Sequence, residues 1–423
     1  CEGSPIGEGQ KAKTIITLFC SQGLPAWRYI LKNYWRNDKL KKIAALTLAM
    51  TMALGLFLSG CTVERVDGNQ AATDTPDSSS TAPDNNSSSN GKRVLNVCSW
   101  GEYIADGLEE QFEEATGIEV NYVTVPSNEE LYSLLQSGGV NYDVIVPSDY
   151  MISQLIEEDM LQPLDYDKIP NFSKIADRFK NLSYDPENLY TVPYTWGTLG
   201  IIYNTAKVQE PITSWSAMFD PQYAGNVLLI NNSRDALGIA LLYLGYSVNT
   251  TDEAEIQEAY QLIADAVKNG VYQGKVMDEV FQKMEGGNAA IATYYAGDYL
   301  SMLENNEDLA YVVPEEGSNW FVDAMCVLKT SQHKEEAEAW INFMASTEAN
   351  LRNMDYIWYA SPNAEALETY PAYYEETYGE PLDPALYEIM APSQEVLDRR
   401  EAYLVLPAET RTLYNDLWTQ LGI

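Results

Sequence analysis

The chain has 423 residues, with Lys+Arg 26 against Asp+Glu 62, one His and a formal net charge of -36 at pH 7. Hydrophobic residues at 46% and aromatics at 11%, including Tyr 30 and Trp 9, are enough to build the cores of two or three domains. So acidic a chain repels nucleic-acid phosphates and suits a cationic ligand, and with His333 the one histidine a multi-His zinc site is impossible and any His-bearing triad would have to use it.

The charge is unevenly spread. Residues 1–60 hold eight basic and three acidic side chains, so residues 61–423 carry 18 basic against 59 acidic, a net -41. Lys39, Lys41 and Lys42 precede an uncharged, mostly apolar run from Ile43 to Leu58. That run is short for a bilayer span and suits the core of a signal peptide over 39–60. It ends in Leu58-Ser59-Gly60-Cys61, which resembles a bacterial lipobox. On that likeness Cys61 would carry a diacylglyceryl group and hold the protein on the outer face of the cell membrane, or in a periplasm. Residues 1–38 fit no part of a signal peptide and are read as an N-terminal extension of uncertain role. Thr62 to Asn90 are dominated by Ser, Asp, Asn, Thr, Ala and Pro, a solvated tether within 61–92.

From Arg93 the pattern is that of a folded body. Val94–Cys98 predicts a strand, and Ile104, Leu108 and Phe112 recur at helical spacing before Gly117, a helix stop. Ile118–Val125 predicts a second strand, and Ser127-Asn128-Glu129-Glu130 a capping box opening a helix with Leu131, Leu134 and Leu135. Asp143–Pro147 is a short apolar run before a helix carrying Met151, Ile152, Leu155 and Ile156. Further strands are expected at Leu199–Tyr203, Val227–Ile230, Ala289–Thr293 and Tyr311–Val313, and helices at Glu253–Lys268, Glu335–Met344 and Thr410–Leu421. Alternating strands and helices imply an α/β chain with largely parallel sheets, and 331 residues from 93 to 423 imply two such domains.

The paired carboxylates Glu109-Glu110, Glu113-Glu114 and Glu157-Glu158 read as solvated helix faces rather than glycosidase acids. Cys98 and Cys326 lie in apolar strands and read as buried free thiols, a disulfide between them being open. His333 reads as a surface residue before a helix. No phosphate-binding Gly-rich loop is found, and no cofactor or metal is expected. What stands out are aromatic residues beside small polar or acidic ones at the ends of apparent strands, in Ser99–Tyr103, Pro147–Tyr150, Pro193–Gly197, Thr293–Asp298 and Trp320–Asp323. In open α/β sheets such positions converge on one cleft. Carboxylates offset the hydration an ammonium ion loses there, and aromatic faces add about 0.5–2 kcal/mol each while gripping methylenes. That mixture fits an alkyl polyamine.

These segments, with Thr116-Gly117-Ile118, Asp143–Ser148, Thr213-Ser214-Trp215 and Ser361-Pro362-Asn363, resemble the spermidine/putrescine-binding proteins of polyamine ABC importers over essentially all of 93–423. The resemblance implies a two-lobed periplasmic binding-protein fold, each lobe a mainly parallel sheet flanked by helices, with the ligand cleft between. Lobe one would comprise 93–197 and 321–368, lobe two 198–320 and 369–423, with crossings near Gly197, Trp320 and Thr369. It implies that Trp100, Tyr103, Tyr294, Phe321 and Tyr359 wall a polyamine pocket and that Ser148 and Tyr150 contact the ligand. Asp323 would pair with an amine, and Asn232 and Asp235 would hold a terminal one. Three departures stand out: Asn232 where Asp is frequent, Phe321 for a usual Trp with Trp320 beside it to compensate, and Tyr403-Leu404-Val405 where an amide is expected. Asp298 is a further carboxylate that could restore charge. The expected partners are a polyamine, putrescine or spermidine, and an ABC permease that a monomeric receptor would dock on, with binding and no catalysis. The alternatives are an extracellular carbohydrate-active enzyme using a carboxylate pair, and a receptor for another small cation. Arg234 is the one basic residue in the matched pocket segments, which disfavours an anion.

Overall fold

The computed structural model describes residues 93–397 and 400–422. The expected extension, signal peptide, lipidated Cys61 and tether lie outside these residues, and among the described ones no helix is long and apolar enough to cross a membrane.

The first half of the chain follows the expected alternation. Strand β1 (Arg93–Ser99) leads through a turn to helix α1 (Leu108–Thr116), whose buried Leu108 and Phe112 face the core. Gly117 stops it at φ 69, its N–H bonded to the Glu113 carbonyl. Strand β2 (Ile118–Thr124) precedes α2 (Asn128–Ser137), where the Ser127 side chain accepts from the Glu130 N–H as a capping residue should. Short β3 (Val144–Ile145) and α3 (Asp149–Glu157) complete this part. β1 pairs in parallel with both β2 and β3.

Two long strands hold the rest. β4 (Thr191–Asn204) is buried along almost its whole length, and β9 (Ser318–Val327) runs antiparallel to it, Thr191 opposite Cys326 and Thr198 opposite Trp320. Beyond Thr198, β4 exchanges β9 for β7 (Ile291–Tyr295), starting at Leu199, and for β8 (Leu309–Val312), starting at Ile201. β5 (Val227–Ile230) then pairs in parallel with β7 and with β6 (Tyr272–Val276). The strand order is β2-β1-β3-β9-β4-β7-β5-β6. The outer strands of each half are thus parallel, and the antiparallel pairings fall where β4 and β9 pass between them. β10 (Arg400–Glu401) adds to the start of β9.

The helices cover both sheets. α4 (Ser233–Leu244) is buried almost all round, whereas α5 (Glu253–Lys268) is amphipathic, with Ile256, Ala259, Ile263 and Ala266 buried. α6 (Glu279–Glu285) and α7 (Ala296–Leu303) flank β7. α8 (Lys334–Met344), α9 (Thr347–Ile357) and α10 (Ala364–Tyr378) follow β9. His333 stands at the start of α8, outside any lining of the cleft described below. Thr369, where a crossing was expected, lies inside α10, which packs along α9; α11 (Pro384–Met390) packs instead on α7. α12 (Gln394–Leu397) and α13 (Ala408–Gln420) close the described chain.

Cys98 and Cys326 are both buried and free. Ile145 of β3 pairs with Cys98 on one side and Cys326 on the other. Two strand spacings of about 4.8 Å therefore separate their backbones, beyond the roughly 7 Å a disulfide can bridge. Burial pushes the Cys98 thiol up to about 11 and raises Cys326 well above its ordinary value.

Candidate binding cleft

The C-terminal ends of β1, β2, β3, β5, β6 and β7 all open on one cleft. This is where parallel strands leave side chains free of ladder pairing. All ten expected residues line it together: Trp100, Tyr103, Ser148, Tyr150, Asn232, Asp235, Tyr294, Phe321, Asp323 and Tyr359.

Two local backbone distortions aim the aromatics. Glu102, at φ 48, turns the chain between Trp100 and Tyr103, and Trp358, at φ 59, turns it just before Tyr359. Left-handed conformations are costly for residues with a Cβ, and such strain concentrates at functional sites. Tyr103 then meets Tyr359 edge-on, with ring centroids 5.2 Å apart, and Phe321 lies 6.2 Å from Tyr359 and 5.3 Å from Tyr295. Gly297 leaves room for this wall, since a Cβ there would sit 2.3 Å from the Tyr359 ring. Gly297→Ala is expected to cost about 1–3 kcal/mol of stability through overpacking, measured as a lower midpoint of denaturant unfolding.

Asp323 occupies the floor. Its Oδ2 accepts from Trp100 Nε1 at 3.0 Å and from the Tyr103 hydroxyl at 2.8 Å. Tyr103 is also hydrogen-bonded to Thr195, which β4 places opposite Asp323. The Asp323 Oδ1 is buried with no hydrogen-bond partner in the protein. Burial pushes this carboxyl up to about 6, against donors led by Tyr103 that pull it down. At one end Asp235 accepts from Tyr295 at 2.7 Å and from Tyr403 at 3.0 Å, and burial lifts it to about 6. Asn232 caps α4 through its side-chain oxygen, accepting from the Arg234 and Asp235 N–H groups. Tyr150 donates to Glu129 at 3.0 Å, and Ser148 is fixed by Asn128 from both its N–H and its hydroxyl.

Several lining groups escaped the sequence reading. Tyr403 stands where an amide was expected and brings a hydroxyl to Asp235. Tyr295 joins Tyr294 on the wall, and Asp149 and Asp278, together with the Asp298 already noted in the sequence as a further carboxylate, bring the lining carboxylates to five with Asp235 and Asp323. Trp320 does not compensate for Phe321: it is absent from the lining, because neighbours along a strand point to opposite faces. Pro193–Gly197 lies behind the wall, Tyr194 donating to the Tyr103 carbonyl at 2.6 Å. The helix-face pairs Glu109-Glu110, Glu113-Glu114 and Glu157-Glu158 do not reach the cleft.

The lining holds no Lys, Arg or His. Arg234 sits behind it, its guanidinium 4.5 Å from the Tyr403 ring and 5.7 Å from the Tyr150 ring, donating to the Asn249 side chain and the Leu404 carbonyl. Rings and five carboxylates around one cleft can strip and hold an elongated cation, and supply no positive charge to an anion.

The profile of the bacterial extracellular solute-binding protein family matches residues 108–377, well over half of the chain. The chain belongs to this family. Among its relatives, the spermidine/putrescine-binding periplasmic protein of Escherichia coli is 33% identical over 276 residues, 64% of this chain and 78% of that one. The putrescine-binding periplasmic protein SpuD of Pseudomonas aeruginosa is 30% identical over 348 residues, 78% and 92%. A solved Listeria monocytogenes chain named for a spermidine/putrescine ABC transporter superposes with a TM-score of 0.72 at 37% identity, covering 78% of this solute-binding protein and 99% of that chain. The architecture is accordingly the two-lobed periplasmic binding-protein fold, and the family places the protein outside the cytoplasm.

Proposed function

We propose that this solute-binding protein captures a polyamine of the putrescine and spermidine class and hands it to the permease of an ABC importer. The observation that carries the reading is Asp323: one oxygen is held by Trp100 and Tyr103, the other is buried with no hydrogen-bond partner, and the residue lines a cleft with aromatic walls and no basic residue. An ammonium group supplies what that oxygen lacks. The rings of Trp100, Tyr103, Tyr359 and Phe321 enclose the methylenes, Ser148 and Tyr150 contact the chain, and Asp235 with Asn232, Tyr294 and Tyr295 holds a far amine.

Lobe one takes 93–197 and 321–368, lobe two 198–320 and 369–423, with α10 spanning the last passage. The exchange of partners along β4 between Thr198 and Leu199 supports a hinge there. Closure about it buries the ligand and presents both lobes to the permease. Cys61 carries the lipid that retains the monomeric receptor at the membrane. Binding without bond making or breaking is the whole activity.

Calorimetric titration of the purified protein with putrescine and with spermidine tests this. Saturable heat with at least one of them is the expected result. Neither heat nor a thermal shift at millimolar amine overturns the reading.

A further inference from the structure

Beside the Asp235 end of the cleft lies a second groove, which Glu129 and Tyr150 of lobe one line together with Arg234 and Tyr414 of lobe two. Tyr150 belongs to both linings, whereas Glu129 and Arg234 do not reach the ligand cleft. Arg234 immediately precedes Asp235 in the first turn of α4, and its carbonyl accepts from the Tyr403 hydroxyl at 3.1 Å.

A guanidinium taken out of water needs partners for its N–H groups and its charge. Arg234 is 5% exposed. Its Nη2 donates to the Asn249 side chain and the Leu404 carbonyl, yet Nε and Nη1 are buried without a hydrogen-bond partner, as is the Tyr414 hydroxyl nearby. Among the described residues no ion pair holds it. It has three rings instead, Tyr403 at 4.5 Å, Tyr414 at 5.5 Å and Tyr150 at 5.7 Å. The first two belong to its own lobe. Tyr150 belongs to the other, and its hydroxyl donates to Glu129 at 3.0 Å. Contacts therefore run from a cation on one lobe, through a ring, to a carboxylate on the other. Burial raises the carboxyls of Glu129 and Asp235, and the charge of Arg234 pulls both back down.

We propose that Arg234 and Glu129, joined through Tyr150, form a clasp beside the cleft that holds the lobes closed and sets how long the ligand is retained. The inference rests on the polyamine reading and its two lobes, and adds two residues that the ligand does not touch. The five carboxylates of the cleft repel one another when it is empty and so oppose closure. A cationic guest removes that repulsion, and the clasp then adds its attraction to the closed state alone. Contacts completed after encounter slow release rather than speed capture. Because neither residue meets the ligand, the clasp serves every amine alike.

The test measures association and release of spermidine and of putrescine by stopped flow on wild type, Glu129→Gln, Arg234→Met and the double variant. It is run at pH 8, above the value of about 6 to which Asp235 is lifted. Each single variant should release both amines about fivefold to twentyfold faster, with association changed by about twofold or less. The ratio of the two affinities should stay as in wild type. The double variant should release no faster than the worse single one, because both substitutions break the same line of contacts. Glu129→Gln keeps the side-chain shape and decides the matter if Arg234→Met lowers the unliganded melting midpoint. Unchanged release in Glu129→Gln, slowed association, a changed amine preference, or losses that multiply in the double variant each overturn the clasp while leaving the polyamine reading intact. Failure of wild type to bind either amine overturns both.

Discussion

Asp323→Asn is expected to weaken polyamine binding by about 2–5 kcal/mol, the usual cost of removing one partner from a buried charge pair. The substitution keeps the shape. Its amide oxygen can still accept from Trp100 and Tyr103, the two donors that fix Oδ2. The amide nitrogen then occupies the place of the unpaired Oδ1 and points N–H groups at the incoming ammonium. A donor facing a donor repels, so the loss exceeds that of one missing charge. The fold should not suffer, because the unliganded protein is relieved of a desolvated carboxylate. Titration calorimetry beside thermal unfolding separates the two effects: affinity falls by at least about thirtyfold, while the unliganded melting midpoint holds or rises. An unaltered affinity removes Asp323 from the site.

Acidification should release the ligand. Asp323 and Asp235 are lifted to about 6 and Asp298 to about 7, in each case chiefly by burial, and Asp149 is raised well above its usual range for the same reason. Amines of this class stay protonated throughout pH 5–8, so only protons on the protein must leave. Each carboxyl that binds an ammonium costs about 1.4 kcal/mol per pH unit below its own value, and two of them give about a hundredfold weaker binding at pH 5 than at pH 7.5. The sign for the empty protein is opposite. Folded carboxyls raised above their unfolded values take up protons that the unfolded chain does not, so unliganded stability is greatest in acid and declines as pH rises from about 4 through 6 to 7. The thermal shift produced by ligand should therefore be small at pH 5 and largest above pH 7. Near pH 6.5 the binding enthalpy should vary with the ionisation heat of the buffer, because protons are expelled. Affinity and heat that do not change across this range would show that the carboxylates are ionised before the ligand arrives.

Periodic segments with clear ends were readable in the sequence. Val227–Ile230 and Glu253–Lys268 fall where expected, and Gly117 and Ser127 perform the stop and the cap their residue types suggest. β4 was not readable at its full length, because Pro193, Gly197 and Gly200 punctuate it; burial between β9, β7 and β8 overrides those local signals, and a register shift between Pro193 and Thr195 absorbs the proline. α10 carries Pro371 in its interior, which a local reading takes for a break. The aromatic and acidic segments that follow strand ends stood out by residue type, whereas Asn232, Asp235 and Tyr359 came only from the family resemblance. Tyr403 was missed because its place opposite Asp235 is set by a long loop, and Trp320 was overvalued because proximity in sequence says nothing about which face of β9 a residue occupies. The left-handed Glu102 and Trp358 have no sequence signal at all, since neither residue type favours that conformation.

The placement of β3 between the two thiols has a meaning for biogenesis. A protein of an extracellular family meets oxidants before or while it folds, and Cys98 and Cys326 are both available in the unfolded chain. Once Ile145 is seated between them, each sulfur is buried and holds its proton. Covalent linkage of the pair is then a chemical record of molecules whose central strand never inserted, and the native sheet acts as its own safeguard against mispairing.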